Sequence, residues 1–207
     1  MKKVLLIASL LVATVMNAQT KFESAMTKGL EQMKAAKTQT EIADAASFFE
    51  RVGDAEKTQW LPYYYAALTL YKGGWDPKAD KDKVAEKCKD LIGKAQAIDK
   101  NADLYCLVQQ VAVLQMMVDP MTRWQVYGPV AKVALADAKK ADATNPRIYY
   151  LEGMSVFNTP ASFGGGKDKA KPLFAQSVEL FKTYTPATPF HPNWGKEDAE
   201  KMLAQCN

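Results

Sequence analysis

Four aromatic residues, Phe22, Tyr63, Tyr105 and Tyr149, open segments of helical apolar periodicity, and they are separated by 41, 42 and 44 positions. A recurring interval of that size over paired helices predicts an all-α chain built as an α-solenoid. A single helical hairpin buries only part of its apolar surface, and stacking the next hairpin on it buries the rest. No stretch sustains strict apolar–polar alternation, so strands are not expected. Such an array holds other molecules through its shape, and its core residues account for themselves without chemistry.

The periodicity divides the chain into four hairpins. The first pairs a helix over 21–36 with one over 40–52, with Thr38 or Thr40 as N-cap. The second pairs 58–72 with 81–98. The third pairs 102–118 with 129–141, Pro129 opening the second helix. Pro146 opens the fourth, 147–157 with 169–184, and a last helix over 196–206 caps the apolar edge that a terminal repeat leaves. The second helices carry trios at steps of four and three: Ala45/Phe49/Val52, Cys88/Ile92/Ala95, Ala134/Ala138/Ala141 and Ala170/Phe174/Ser177. These steps keep three residues on one face, and the small members let neighbouring helices approach closely.

Ala134, Ala138, Ala141 and Pro146, with Tyr149 and Gly153 opening the next repeat, resemble a tetratricopeptide repeat. The units are eight to ten residues longer than that family's usual length of about 34 residues. The surplus falls between the helices of a hairpin, at 73–77, 119–124 and 158–168. The run Phe157-Asn158-Thr159-Pro160 to Phe163-Gly164-Gly165-Gly166, followed by Ala170 and Phe174, is similar to exported tetratricopeptide-like bacterial proteins. Among these is the periplasmic T-component associated with TRAP transporters. Pro192-Asn193-Trp194-Gly195, followed by Met202-Leu203, resembles the closing element of secreted repeat proteins of Bacteroidetes type.

The first 18 residues read as a signal peptide. Lys2 and Lys3 form a basic n-region, residues 4–15 are apolar apart from Ser9 and Thr14, and Ala18 supplies the small residue for cleavage. The apolar run is too short to span a bilayer, and no cysteine follows it to take a lipid anchor. Residues 19–207 are expected to form one repeat domain, periplasmic or secreted, with no integral membrane segment. Loss of Lys2 and Lys3 lowers the formal charge from +4 to +2. With acidic and basic residues interspersed, as over 78–94, no basic stripe remains for nucleic acid.

The motifs that resemble chemistry fail on inspection. Gly164-Gly165-Gly166-Lys167 lacks the earlier glycine and the following Ser or Thr of a phosphate loop, since Ala161 and Asp168 stand there. It reads as a turn into a helix, with Asp168 as N-cap. His191 is the sole histidine and has no Cys or His near it in sequence. Asp76, Asp80 and Asp82 lack the spacing of a calcium loop. Cys88, Cys106 and Cys206 are odd in number; the first two fall roughly 9 Å out of register along neighbouring helices, too far to bridge. Cys88 and Cys106 read as small buried residues, and Cys206 as exposed near the end. No catalytic residue, metal site or cofactor is expected.

The first helices are nearly free of charge. None occurs over 58–71, only Asp103 over 102–118, and only Arg147 and Glu152 over 147–157. The second helices are far more charged, so the inner face of the array is expected to be aromatic and weakly charged. That face lacks the Lys, Arg and Asn of a clamp for peptide carboxylates. Two readings follow. In one, Trp60, Tyr64, Leu68 and Tyr71 simply fill the core. In the other, Tyr65, Gln109, Met116 and Tyr150 line a groove with Trp75, Trp124 and Phe163 along its rim, because stacked turns emerge on one edge. The functional expectation is an exported, non-catalytic scaffold that binds a protein or peptide. The alternative is a periplasmic carrier or transport accessory for a small apolar or anionic ligand.

Overall fold

The computed structural model describes residues 2–206, with side chains from residue 19 onward; the expected signal peptide, residues 1–18, lies outside the described side chains. The described residues form nine α-helices and no strand. They are α1 (Lys2–Ala35), α2 (Gln39–Glu56), α3 (Leu61–Gly73), α4 (Lys81–Ile98), α5 (Ala102–Met116), α6 (Pro120–Ala141), α7 (Pro146–Asn158), α8 (Lys167–Thr183) and α9 (Lys196–Gln205). A single 3-10 turn, Ala161–Phe163, precedes α8. Each helix packs on its neighbour in sequence, and α5 also packs on both α3 and α7, so these three lie side by side.

Local chemistry sets most boundaries. Thr38 accepts a hydrogen bond from the Glu41 amide, and the Glu41 carboxylate accepts one from the Thr38 amide, closing a capping box at the start of α2. Hydrogen bonds from the Lys37 amide and then the Thr38 amide hold the Glu41 carboxyl below its ordinary range. The Asp80 and Asn101 side chains cap α4 and α5 by accepting from the Lys83 and Leu104 amides, and Asn145 with Pro146 opens α7. The three glycines before α8 are a structural turn. Gly164 and Gly166 have positive φ, and a Cβ on Gly165 would collide with the Thr159 carbonyl. Their amides donate to Ala161, Pro160 and Val156 carbonyls, so none is left for an anion.

The trios of the second helices form the core. Phe49, Cys88, Ala95, Ala138, Ala170, Phe174 and Ser177 are fully or almost fully buried. Fully burying each of the larger ones stabilises by about 1.5–3 kcal/mol. Two hairpins repeat one packing solution: the Phe49 ring of α2 covers Gly29 of α1, and the Phe174 ring of α8 covers Gly153 of α7.

Five expectations need correction. Helix α6 begins at Pro120, not Pro129, because Pro120 already offers the pre-set φ of a first helical turn, and Pro129 is accommodated inside the helix. The stretch 119–124 is therefore largely helix and not an inserted turn. Asp168 is not the cap of α8, which starts at Lys167 after Gly166. Cys206 is buried beside Ala170 and Phe174, because α9 folds its apolar side onto α8. Ala141 is exposed as the last residue of α6, next to the C-cap Asp142.

Candidate functional site

The shared face of α1, α3 and α7 is covered by the chain's own segment between α8 and α9. Phe190 lies edge-on to Phe22 at 6.2 Å, and its carbonyl accepts a 2.8 Å hydrogen bond from the Tyr65 hydroxyl. His191 meets Trp60 edge-on at 5.6 Å. Trp194 packs against Tyr150, and its indole N–H donates to the Tyr64 hydroxyl at 2.8 Å. Burial pushes the Tyr64 and Tyr65 phenols well up and the Tyr150 phenol to about 12, so all three stay protonated donors at neutral pH. His191 has its Nδ1 2.8 Å from the Thr188 hydroxyl, and burial lowers its pKa, favouring the neutral ring.

A fully buried arginine anchors this strap. Arg147 donates to the Pro192 carbonyl and to the Tyr184 hydroxyl, the latter at 2.9 Å. Its guanidinium lies 4.6 Å from the Tyr184 ring and 5.5 Å from the Trp194 ring. Its Nε sits 3.4 Å from the Asp103 carboxylate of α5, an ion-pair contact without hydrogen-bond geometry. Asn145 completes the set, donating to Asp103 at 2.9 Å. Burial raises the Asp103 pKa even though Arg147, Asn145 and His191 oppose it. Two of the three charged residues that interrupt the first helices, Asp103 and Arg147, are thus a buried structural pair that holds the strap down, while Glu152 pairs with Lys139 of α6.

The residues singled out in the sequence separate into two sets. Tyr65 and Gln109 are buried, and Met116 and Tyr150 half-buried. Gln109 donates to the Ser155 hydroxyl at 3.4 Å, and its carbonyl oxygen is buried without a hydrogen-bond partner. Trp75, Trp124 and Phe163 are exposed, at 42%, 56% and 81%. Trp75 follows α3, Trp124 lies early in α6 and Phe163 ends the 3-10 turn after α7; Met117, Val118 and Met121, where α5 gives way to α6, are exposed as well. The end of α3 meets the end of α5 where Gly74 approaches Leu114. The expected reading of Trp60, Tyr64, Leu68 and Tyr71 as core side chains matches their places in the largest apolar cluster.

A second surface was not legible beforehand. Over α5, between α4 and α6, runs a furrow of about 250 Å³. Its floor is Val108, Val111, Ala112 and Gln115, one stripe at steps of three, one and three. One wall is the matching stripe of α4, Lys89, Ile92, Gly93 and Gln96; the other is Tyr127 and Val130 of α6. Val126, Val130 and Val133 continue the apolar wall into solvent. Arg123 holds the first half of α6 in place, donating to both Asp82 oxygens at 2.6 and 2.9 Å and to the Gln115 carbonyl. Reading Pro129 as a helix start concealed this wall, because it put Tyr127 in a loop.

Among the described residues, no three His, Cys, Asp or Glu side chains gather to hold a metal ion, and no helix is long and apolar enough to cross a membrane. The fold, with large apolar side chains kept at the surface, defines an all-helical binding protein. Among solved structures the chain is similar to the HusA haemophore from Porphyromonas gingivalis, with 31% identity and a TM-score of 0.80 over 89% of this chain and 92% of that one. It belongs to the family of that haemophore. No protein-family model matches the sequence, and no curated protein does so.

Proposed function

We propose that the protein is an exported, non-catalytic carrier of haem or a closely related porphyrin. The observation that carries this reading is the likeness to a haemophore across nearly the whole of both chains. It favours the small-ligand alternative over the scaffold. A porphyrin is a flat apolar macrocycle with anionic substituents, and it needs exposed apolar walls with a cation at their edge. The structure supplies such walls on the outer surface, whereas the strap already fills the inner face around Tyr65 and Tyr150. In this reading cleavage after Ala18 releases residues 19–207 as one domain, and its hairpins stack as a tetratricopeptide-like solenoid.

Titration of the mature chain with haem, followed by absorption in the Soret region, tests the proposal. Saturable one-to-one binding is the expected result; a spectrum that only tracks free haem overturns it. A protein partner is the second reading, favoured by the exposed large apolar side chains Trp75, Met121, Trp124 and Phe163. Cross-linking in the native host checks it: alanine at Trp124 and Phe163 is expected to abolish a protein adduct and to leave haem binding unchanged.

A further inference from the structure

We propose that one end of the array docks on an anionic lipid surface, with Trp75, Met121, Trp124 and Phe163 entering the interfacial layer. Contacts between the first helices fix which ends lie together. Near the starts of α7, α5 and α3, Arg147 lies against Asp103 and Trp194, and Trp194 bonds Tyr64. Gln109 meets Ser155 along the middles of α5 and α7, and Gly74 approaches Leu114 where α3 and α5 end. Helices α3, α5 and α7 therefore run parallel and finish on the same side. Six of the nine large apolar side chains exposed among the described residues stand there. They are Trp75 after α3, Met117, Val118, Met121 and Trp124 where α5 gives way to α6, and Phe163 after α7. Met121 and Phe163, at 84% and 81%, are the most exposed of the nine.

Ordered turns hold these side chains out. After α7, the amides of Phe163, Gly164, Gly165 and Gly166 donate to the carbonyls of Pro160, Ala161, Pro160 and Val156. The closed turn displays Phe163, which gives the three glycines a use beyond joining two helices. After α3, the Trp75 and Asp76 amides donate back to Lys72 and Gly73, and the Gly73 carbonyl also accepts from Gln39 Nε2 at 3.0 Å. Arg123 ties the first turn of α6, which bears Met121 and Trp124, to Asp82. Turns already fixed avoid the ordering entropy that a mobile loop loses on docking.

The charge at this end favours a negative partner. Asp76, Asp80 and Asp82 are taken up by the Lys78 amide, the Lys83 amide and Arg123. Lys72, Lys167, Lys169 and Lys171 are exposed and enter no ion pair among the described residues, against Asp119 and Asp168 in the same condition. Tryptophan settles in the headgroup layer of a bilayer, and lysines beside it are drawn to anionic lipid. A protein interface gathers its anchors in one desolvated centre. Here they stand on three separate connections, spread over two helix spacings of about 8–10 Å each. A flat surface meets all of them at once. This docking depends neither on the furrow nor on what the protein carries.

The test uses the mature chain without haem, sedimented with phosphatidylcholine vesicles and with vesicles that also contain phosphatidylglycerol. Binding is expected to be about tenfold or more tighter on the anionic vesicles, and to weaken as salt rises. Tryptophan emission is expected to shift to the blue there. Trp75→Phe combined with Trp124→Phe should still bind and should lose that shift, because Trp60 and Trp194 are already packed on the core. Trp124→Ala combined with Phe163→Ala is expected to weaken binding by about tenfold or more at an unchanged melting temperature. Val133→Ala, similarly exposed but farther along α6, is expected to leave vesicle binding as it was. If neither vesicle binds the chain, the proposal falls and these side chains are left to a protein partner. If the double alanine variant binds anionic vesicles as tightly as wild type, this end is not the docking surface. Equal binding to both vesicles removes the role given to the lysines.

Discussion

Replacing Arg147 with methionine should cost more stability than any surface change in this chain. Methionine fills much of the same volume, so the loss is electrostatic and not a cavity. It leaves Asp103 with only the Asn145 amide, removes the donor to the Pro192 carbonyl, and leaves the Tyr184 and Trp194 rings without their cation. Removing one partner of a buried pair costs about 3–5 kcal/mol. For a chain of this size that lowers the melting temperature by about 6–20 °C. The sign of the pH dependence follows from Asp103. Its folded pKa is already raised by burial, so the protonated form suits the fold, and the favourable contribution is lost as pH rises through the folded value. Without Arg147 that value climbs further. The variant's deficit should therefore be largest at neutral pH and shrink on acidification toward the ordinary carboxylate range. Adding Asp103→Asn should recover a large part of it at neutral pH, a coupling readable in a double-mutant cycle by urea unfolding. A single variant within about 1 kcal/mol of wild type, or a deficit that grows in acid, would refute this account of the strap's anchor.

Two further outcomes test the packing. Gly153→Ala places a Cβ 2.6 Å from the buried Phe174 ring, and the overpacking of about 1–3 kcal/mol should exceed the helix-propensity gain of about 1 kcal/mol. The melting temperature should fall, and a rise would mean that the ring yields freely. The Cys88 thiol, pushed up to about 12 by burial and donating to the Ala67 carbonyl at 3.3 Å, should resist a thiol reagent at neutral pH until denaturant is added. Rapid labelling of that thiol in the native protein would contradict its burial.

What the sequence carried was local. The aromatic interval, the Thr38 cap and the four-and-three trios rest on contacts within a helix or between adjacent ones, and those segments formed helices close to where the pattern put them. Helix α6 shows the limit of such reading. Pro120 and Pro129 both suit a first turn, and nothing nearby says that the second is tolerated inside the helix. The strap was invisible for a different reason. Trp194 meets Tyr64, and Phe190 meets Tyr65, across more than a hundred positions, and Arg147 finds Asp103 only once α5 and α7 lie side by side. A sparse charge on an apolar helix looks the same in sequence whether it faces a ligand or a buried partner. The furrow needs three helices at once, so its glycine and tyrosine carry no sequence signal of their own.

A crystal structure of the mature chain with bound haem tests the central claim most directly. The account predicts the macrocycle against exposed apolar side chains of the outer surface, with the strap of residues 184–195 still in place. A macrocycle against Tyr65 and Tyr150, with that strap displaced, would contradict it.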